Sequence, residues 1–160
     1  MQVGIGFDAH GFAEGRALVL GTIAVEYDRG LAGHSDGDVL AHAIVDAILG
    51  AAALGDIGTH FPSTDARWKD VDSVVFLQHA VRAAADAGYR IVNVDATVIC
   101  EEPRLESYRD KMQSALADAL GAPVGVKATT TDGMGFTGRG EGIAAIAVAL
   151  LRPAGDDKAG

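Results

Sequence analysis

Cysteine is almost missing from this chain of 160 residues: Cys100 stands alone. An internal disulfide framework is therefore excluded, and so is a cysteine-rich structural zinc site. Basic residues are scarce as well, 13 against 22 acidic ones, for a formal net charge of −9. Binding a phosphate backbone needs a basic surface, so nucleic acid is excluded as the main partner. Long apolar runs are lacking too. The longest, Ile143 to Leu151, is far too short to span a bilayer. No basic-then-apolar leader is read before the first strand, so a soluble, cytoplasmic protein without a membrane partner is expected. No internal repeat or interdomain linker is seen. What the chain does hold is apolar content, 49% of its residues, enough for one globular domain with a core. That domain is expected over 1–152, with a small polar tail over 153–160 expected to be disordered.

Periodicity predicts a strand at Gln2–Asp8, then a hairpin of Leu18-Val19-Leu20 and Ile23-Ala24-Val25. A helix follows from about Asp38 to Ala53, then a loop from Gly55 to Trp68. Asp72 or Ser73 caps a second helix that Gly88 stops. Ile91 to Cys100 reads as a strand with Val92, Val94, Ala96, Val98 and Cys100 on one face. A helix from about Glu106 to Leu120 ends at Gly121, and strands at Val124–Thr130 and Ile143–Leu151 complete the chain. Alternating strands and helices predict an α/β (α+β) domain, a mixed sheet covered by helices on one face. Few helices remain for the other face, which is expected to be buried between subunits.

Chemistry concentrates in two segments. In Gly33-His34-Ser35-Asp36-Gly37-Asp38, continuing through His42 to Gly50, Asp38, His42 and Asp46 recur four apart on one helical face. A histidine between two carboxylates reads either as a metal ligand with supporting acceptors or as part of a surface helix with ordinary charge pairs. The second segment is Gly6-Phe7-Asp8-Ala9-His10-Gly11-Phe12. Residues two apart in a strand share a side, so Asp8 and His10 point together. Taken singly, they read as a polar strand end that caps a turn. With His42 they supply the ligands of a catalytic zinc site that keeps one position open. Magnesium or manganese more often takes carboxylates and water.

A glycine-rich stretch runs from Lys127 to Gly142. Gly133 to Gly138 matches G-x-G-x-x-G in form only, because no helix, further parallel strand and acidic residue follow. Its glycines, Thr129, Thr130, Thr131 and Arg139 suit phosphate binding through backbone N–H groups. The plainer reading is a long hairpin connection that uses glycine for positive φ. No Ser–His–Asp order or reactive cysteine stands out.

The fragments GFDAH, AGHSDGDVLAHAIVDAILGAAALGDIG, FPSTD and KATTTDGMGFTGRGEG, in that order, resemble the 2-C-methyl-D-erythritol 2,4-cyclodiphosphate synthase family from about Gly4 to Leu151. The resemblance implies a homotrimer with active sites between subunits, in the non-mevalonate route to isoprenoids. It implies a metal-dependent, CMP-releasing phosphorus–oxygen lyase acting on 4-diphosphocytidyl-2-C-methyl-D-erythritol 2-phosphate, a substrate linked to cytidine diphosphate. Position by position, Asp8, His10 and His42 match zinc ligands, with Asp8 and His10 also counted among the substrate contacts. His34 and Ser35 match a flexible substrate loop, and His34 and Thr130 match residues of transition-state stabilisation. Asp56, Ile57 and Gly58 match the methylerythritol pocket, and Phe61, Pro62, Ser63, Thr64 and Asp65 a further substrate loop. Cys100, Glu101, Glu102, Pro103, Arg104, Leu105 and Glu106 match the cytidine and diphosphate pocket. Thr129, Thr130, Thr131 and Asp132 belong to that pocket too, which Phe136 and Arg139 close.

The chain departs from the family in two places. Many members carry Glu where Asp132 stands, as ligand of a second divalent ion, Mg2+ or Mn2+. One methylene shorter, Asp132 is expected to reach that ion through water. Glu101 and Glu102 fall at variable positions, where side chains matter little if the base is read by main-chain groups. The chemistry suits the residues, since an attacking phosphate on the same molecule needs positioning and charge neutralisation rather than a protein nucleophile. A zinc-dependent phosphoesterase and a non-catalytic trimeric binding protein are the competing readings. Linear product would mark the first, zinc without turnover the second.

Overall fold

Two glycines, Gly4 and Gly6, set how closely the layers of this protein meet. The computed structural model describes residues 1–155. Strand β1 (Gln2–Ala13) leads into a hairpin of β2 (Leu18–Leu20) and β3 (Ile23–Val25), then a short β4 (Gly30–Leu31). Helix α1 (Val39–Ala51) lies directly on β1. A Cβ on Gly4 would fall 2.0 Å from the Ala47 carbonyl oxygen, and one on Gly6 1.9 Å from that of Ala43. Hydrogen is the only side chain that permits such an approach. Gly6→Ala is therefore expected to force α1 off the sheet, costing about 3 kcal/mol. Thermal unfolding should show a midpoint roughly 10 °C lower. An unchanged midpoint would mean that the helix is free to shift.

The chain continues through α2 (Ile57–His60), a single 3-10 turn (Ala66–Trp68), α3 (Ser73–Asp86), β5 (Tyr89–Ile99), α4 (Arg109–Leu120), β6 (Val124–Thr129), α5 (Gly135–Gly138) and β7 (Gly142–Pro153). The main sheet has the order β4-β1-β7-β5-β6. Only β5 and β6 run parallel; the other neighbours are antiparallel. Helices α1, α3 and α4 touch one another in sequence and share one face of the sheet. This is the mixed, one-sidedly covered sheet that the alternation predicts. Ile44, Ile48, Leu77, Met112 and Leu116 fill the core between the layers, over Val94, Ala96, Val98 and Ala147.

On the open face, Val3, Ile5 and Phe7 of β1 stand beside Ile146 and Val148 of β7. Ile5 is 69% exposed and Phe7 56%. The register Ile5↔Val148 and Phe7↔Ile146 joins them into one apolar patch. Toward β6 the face turns polar, where Lys127 Nζ meets Asp95 Oδ2 at 2.6 Å. A contiguous apolar patch with a polar rim is the usual mark of an interaction surface.

Several boundaries differ from the periodicity. β1 runs five residues past Asp8, to Ala13, because β7 pairs with it as far as Gly11↔Gly142 and β4 takes over beyond. The predicted loop 55–68 contains α2, a single turn whose Thr59 N–H is capped by the Asp56 carboxylate. Helix α4 starts at Arg109 rather than near Glu106. Val92 falls at an irregularity between Ile91 and Asn93, which interrupts the alternation. Strand β5 lies between β6 and β7, so the glycine-rich stretch is a crossover and not a hairpin loop. Of the predicted tail, Pro153 pairs with Tyr89 and the Ala154 N–H donates to Gly88 O at 2.8 Å, while 156–160 lies outside the described residues. No helix among the described residues is long and apolar enough to cross a membrane.

Candidate active site

The glycine contact that seats α1 on β1 also delivers His42 to the end of the strand face that carries Asp8 and His10. Strand alternation puts Gly4, Gly6, Asp8 and His10 on the side of the helix. There His10 Nε2 lies 2.8 Å from Asp8 Oδ2, His42 Nδ1 lies 3.0 Å from the same oxygen, and the two histidine nitrogens are 3.3 Å apart. Ligands held about 2.0–2.1 Å from one tetrahedral ion are spaced about 3.3 Å from each other, so this triangle fits a small divalent ion after a slight expansion. Among the described residues it is the group of at least three such donors with the spacing to hold a metal. Burial pushes the Asp8 carboxyl up, but hydrogen bonds and charge from His10 and His42 pull harder and hold it well below the usual range. Burial works against protonation of His10, and its bond to Asp8 reverses that, raising its pKa. The site concentrates negative charge against two imidazoles.

The carboxylates spaced four from His42 have other work. Asp38 is fully buried as the cap of α1, and its oxygens accept N–H groups from Gly21, Thr22, Leu40 and Ala41. Asp46 accepts the Ile57 N–H at 2.7 Å and so fixes the start of α2. His42 is supported instead by two hydroxyls, since its Nε2 lies 3.0 Å from Ser35 Oγ and 3.1 Å from Ser73 Oγ. Ser73 Oγ donates to Asp36, so it accepts from the Nε2–H of a histidine whose Nδ1 is left to bind metal. Ser73 and Asp36 were missed in the sequence; a buried serine in the first turn of a helix carries no signal of this role. Ser73→Ala should weaken metal binding about tenfold in a chelator competition. Equal affinity would show that Ser35 alone orients the ring.

A cavity of about 440 Å3 opens over the triangle. It gathers Asp8, His10, His34, Ser35, His42, Ile57, Gly58, Phe61, Pro62, Ser63 and Thr64, with Trp68 and Phe76 as walls. Phe61 packs tilted against Phe76 at 4.4 Å and edge-to-face against Trp68 at 4.9 Å between ring centroids, which anchors the 61–65 loop. Two predicted residues stand outside this lining. Asp56 serves Thr59, whose hydroxyl and N–H lower its pKa, and Asp65 pairs with Arg67 at 2.6 Å.

A second cavity of about 360 Å3 is lined by Cys100, Glu101, Pro103, Arg104, Leu105, Glu106, Thr129 and Thr130, over Met112 and Val126. It shares no lining residue with the first. Glu102, Thr131, Asp132, Phe136 and Arg139 lie outside its lining. Arg139 pairs with Glu141 at 2.6 Å. Asp132 holds a left-handed φ of 52°, with Oδ1 3.4 Å from Thr130 Oγ1. Glu101 has a part that the sequence reading left out. Its Oε1 accepts the N–H groups of Thr131 and Gly133, so a carboxylate occupies two of the glycine-rich donors. Burial, with Glu102 and Glu101 nearby, pushes the Cys100 thiol up to about 11, which leaves it inert as a nucleophile.

Residues 1–152 match the YgbB family. The chain is 58% identical over 154 residues to the 2-C-methyl-D-erythritol 2,4-cyclodiphosphate synthase of Moorella thermoacetica, covering 94% of each chain. Its fold superposes on the bifunctional IspDF of Campylobacter jejuni with a TM-score of 0.91 at 42% identity, covering 95% of this chain and 42% of that one. A CDP complex of IspF from Plasmodium falciparum matches at TM-score 0.82 and 32% identity, over 95% of this chain and 96% of that one. The donor triangle, the fold around it and this whole-length similarity agree: the chain belongs to the YgbB family.

Proposed function

We propose that this chain is a 2-C-methyl-D-erythritol 2,4-cyclodiphosphate synthase of isoprenoid biosynthesis, acting by metal-assisted intramolecular phosphoryl transfer. The observation that carries the reading is the Asp8–His10–His42 triangle under a cavity walled by the 57–64 segment. In the reaction, an oxygen of the substrate's 2-phosphate bonds to the β-phosphorus of its diphosphate. The bond from that phosphorus to the bridging oxygen breaks, and CMP leaves with the electron pair. The nucleophile is already anionic, so no serine or cysteine has to be activated, in keeping with the inert Cys100 thiol.

Zinc on Asp8, His10 and His42, with Mg2+ or Mn2+ at Asp132, would supply positive charge to the phosphate oxygens. An exposed carboxylate suits an ion that keeps most of its waters, as magnesium does. Ile57, Gly58 and the 61–65 loop, with Asp56, hold the methylerythritol part in the first cavity. Cys100–Glu106 and Thr129–Asp132 take the cytidine and diphosphate, with Phe136 and Arg139 closing over them. His34 and Thr130 touch the reacting phosphates and stabilise their charge in the transition state. The enzyme works as a cytoplasmic homotrimer whose sites pair the first cavity of one subunit with the second of its neighbour.

Phosphorus NMR of the products tests the reading. The cyclic diphosphate and CMP are expected from the cytidyl substrate. Linear hydrolysis products would make the protein a phosphoesterase, and metal binding without turnover would make it a binding protein.

A further inference from the structure

Arg16 lies in the turn between β1 and β2, outside every motif that the sequence singles out. Its Nη1 donates to the Gly33 carbonyl at 2.7 Å, and its Nη2 donates to the Ser35 carbonyl. Those two carbonyls flank His34. The one between them, on His34, accepts the Asp70 N–H at 2.7 Å, and the Asp36 N–H donates to Val71 O at 3.2 Å. The 33–36 backbone is thus tied at every peptide, while the His34 side chain remains exposed at the first cavity.

Two further contacts show that this clamp is built into the fold. A Cβ on Gly30 would fall 2.7 Å from the Arg16 carbonyl oxygen and 2.8 Å from its Cβ, so β4 requires glycine to let Arg16 lie against it. At the other end, a Cβ on Gly33 would be 3.4 Å from His10 Cε1, so the loop runs close beside a residue of the donor triangle. Ser35, fully covered, carries its hydroxyl to His42 Nε2. Movement of the loop therefore shifts His34 and Ser35 relative to the triangle.

We propose that Arg16 is a positioning residue for the cyclisation, an inference that rests on the function proposed above. Its guanidinium spans two carbonyls at once and fixes the height of His34 and Ser35 over the triangle. A planar fork does this, whereas an ammonium group is a point donor that reaches one carbonyl at a time. Displacing a reacting group by about 1 Å costs roughly 100-fold in rate.

The test compares wild-type protein with Arg16→Ala and Arg16→Lys. Zinc content, thermal midpoint, kcat, KM and amide exchange over 33–36 are measured for each. For Arg16→Ala, kcat should fall about 100-fold while KM changes little, with zinc content and midpoint as in wild type. Exchange at Ser35 and Asp36 should accelerate. Added guanidinium ion should restore part of the lost kcat, and Arg16→Lys should fall between the two. A kcat for Arg16→Ala within threefold of wild type overturns the proposal. So does a loss that tracks zinc content or midpoint and resists guanidinium, because that describes an anchor of the fold. If Arg16→Ala does not fold, Arg16→Lys decides alone, and full activity in it overturns the proposal. A wild-type protein that makes no cyclic product refutes the parent reading instead, whatever the variants do.

Discussion

His42→Ala should empty the metal site and abolish cyclisation together. His42 is one corner of a triangle whose edges are 2.8, 3.0 and 3.3 Å, and it is the corner supplied by the helix. Without it, Asp8 and His10 remain as two adjacent donors on one strand, too few to close a shell around a tetrahedral ion. Loss of a supporting residue alone weakens such a site about 10–100-fold, so loss of a ligand should exceed that range. Metal analysis of the dialysed variant should show little zinc, and product formation should fall by more than about 100-fold. The fold should survive, since α1 is seated by Ala43, Ala47 and Ala51 against the glycines and not by the imidazole. Full zinc occupancy in a folded His42→Ala protein would remove His42 from the site.

The triangle was legible because its members obey local rules. Asp8 and His10 sit two apart in a strand, and His42 sits in a helix whose apolar stripe announces itself. The supports of the triangle were not legible. Asp36, Ser73 and Arg16 act there, and Glu101 acts on the glycine-rich loop of the second cavity, through hydrogen bonds between segments 17 to 37 residues apart in the chain, and no periodicity records such partners. The even spacing of Asp38, His42 and Asp46 even pointed the wrong way. A cap buried under four N–H groups and a tether for Ile57 look, in sequence, like partners of the histidine between them.

The strand face was legible only by half. Alternation of Val3, Ile5 and Phe7 announces a strand, but period two does not say which side is covered. Close packing chose the glycine side, because α1 could approach nearest there. The apolar side was left for something other than this chain's own helices.

Subunit sharing of the active site gives the second large effect. The two cavities share no lining residue, and the apolar patch on β1 and β7 lies uncovered within one chain. Burying such a patch against further copies of the chain is what makes association obligate. In the proposed trimer, Asp8, His10 and His42 of one subunit face Thr130, Asp132 and the 100–106 segment of its neighbour. His10→Ala and Asp132→Ala should each be inactive when refolded alone, one lacking the zinc half and the other the second-ion half. Refolded together in equal amounts, the variants form mixed trimers. Each interface draws its halves independently, so about one interface in four joins an intact zinc half to an intact nucleotide half. Activity should therefore return to roughly a quarter of the wild-type value. The effect is large because it rises from nearly nothing, and misfolding of either variant cannot imitate it. Mixed trimers that are demonstrated by mass yet remain inactive would assign both cavities to a single subunit's site.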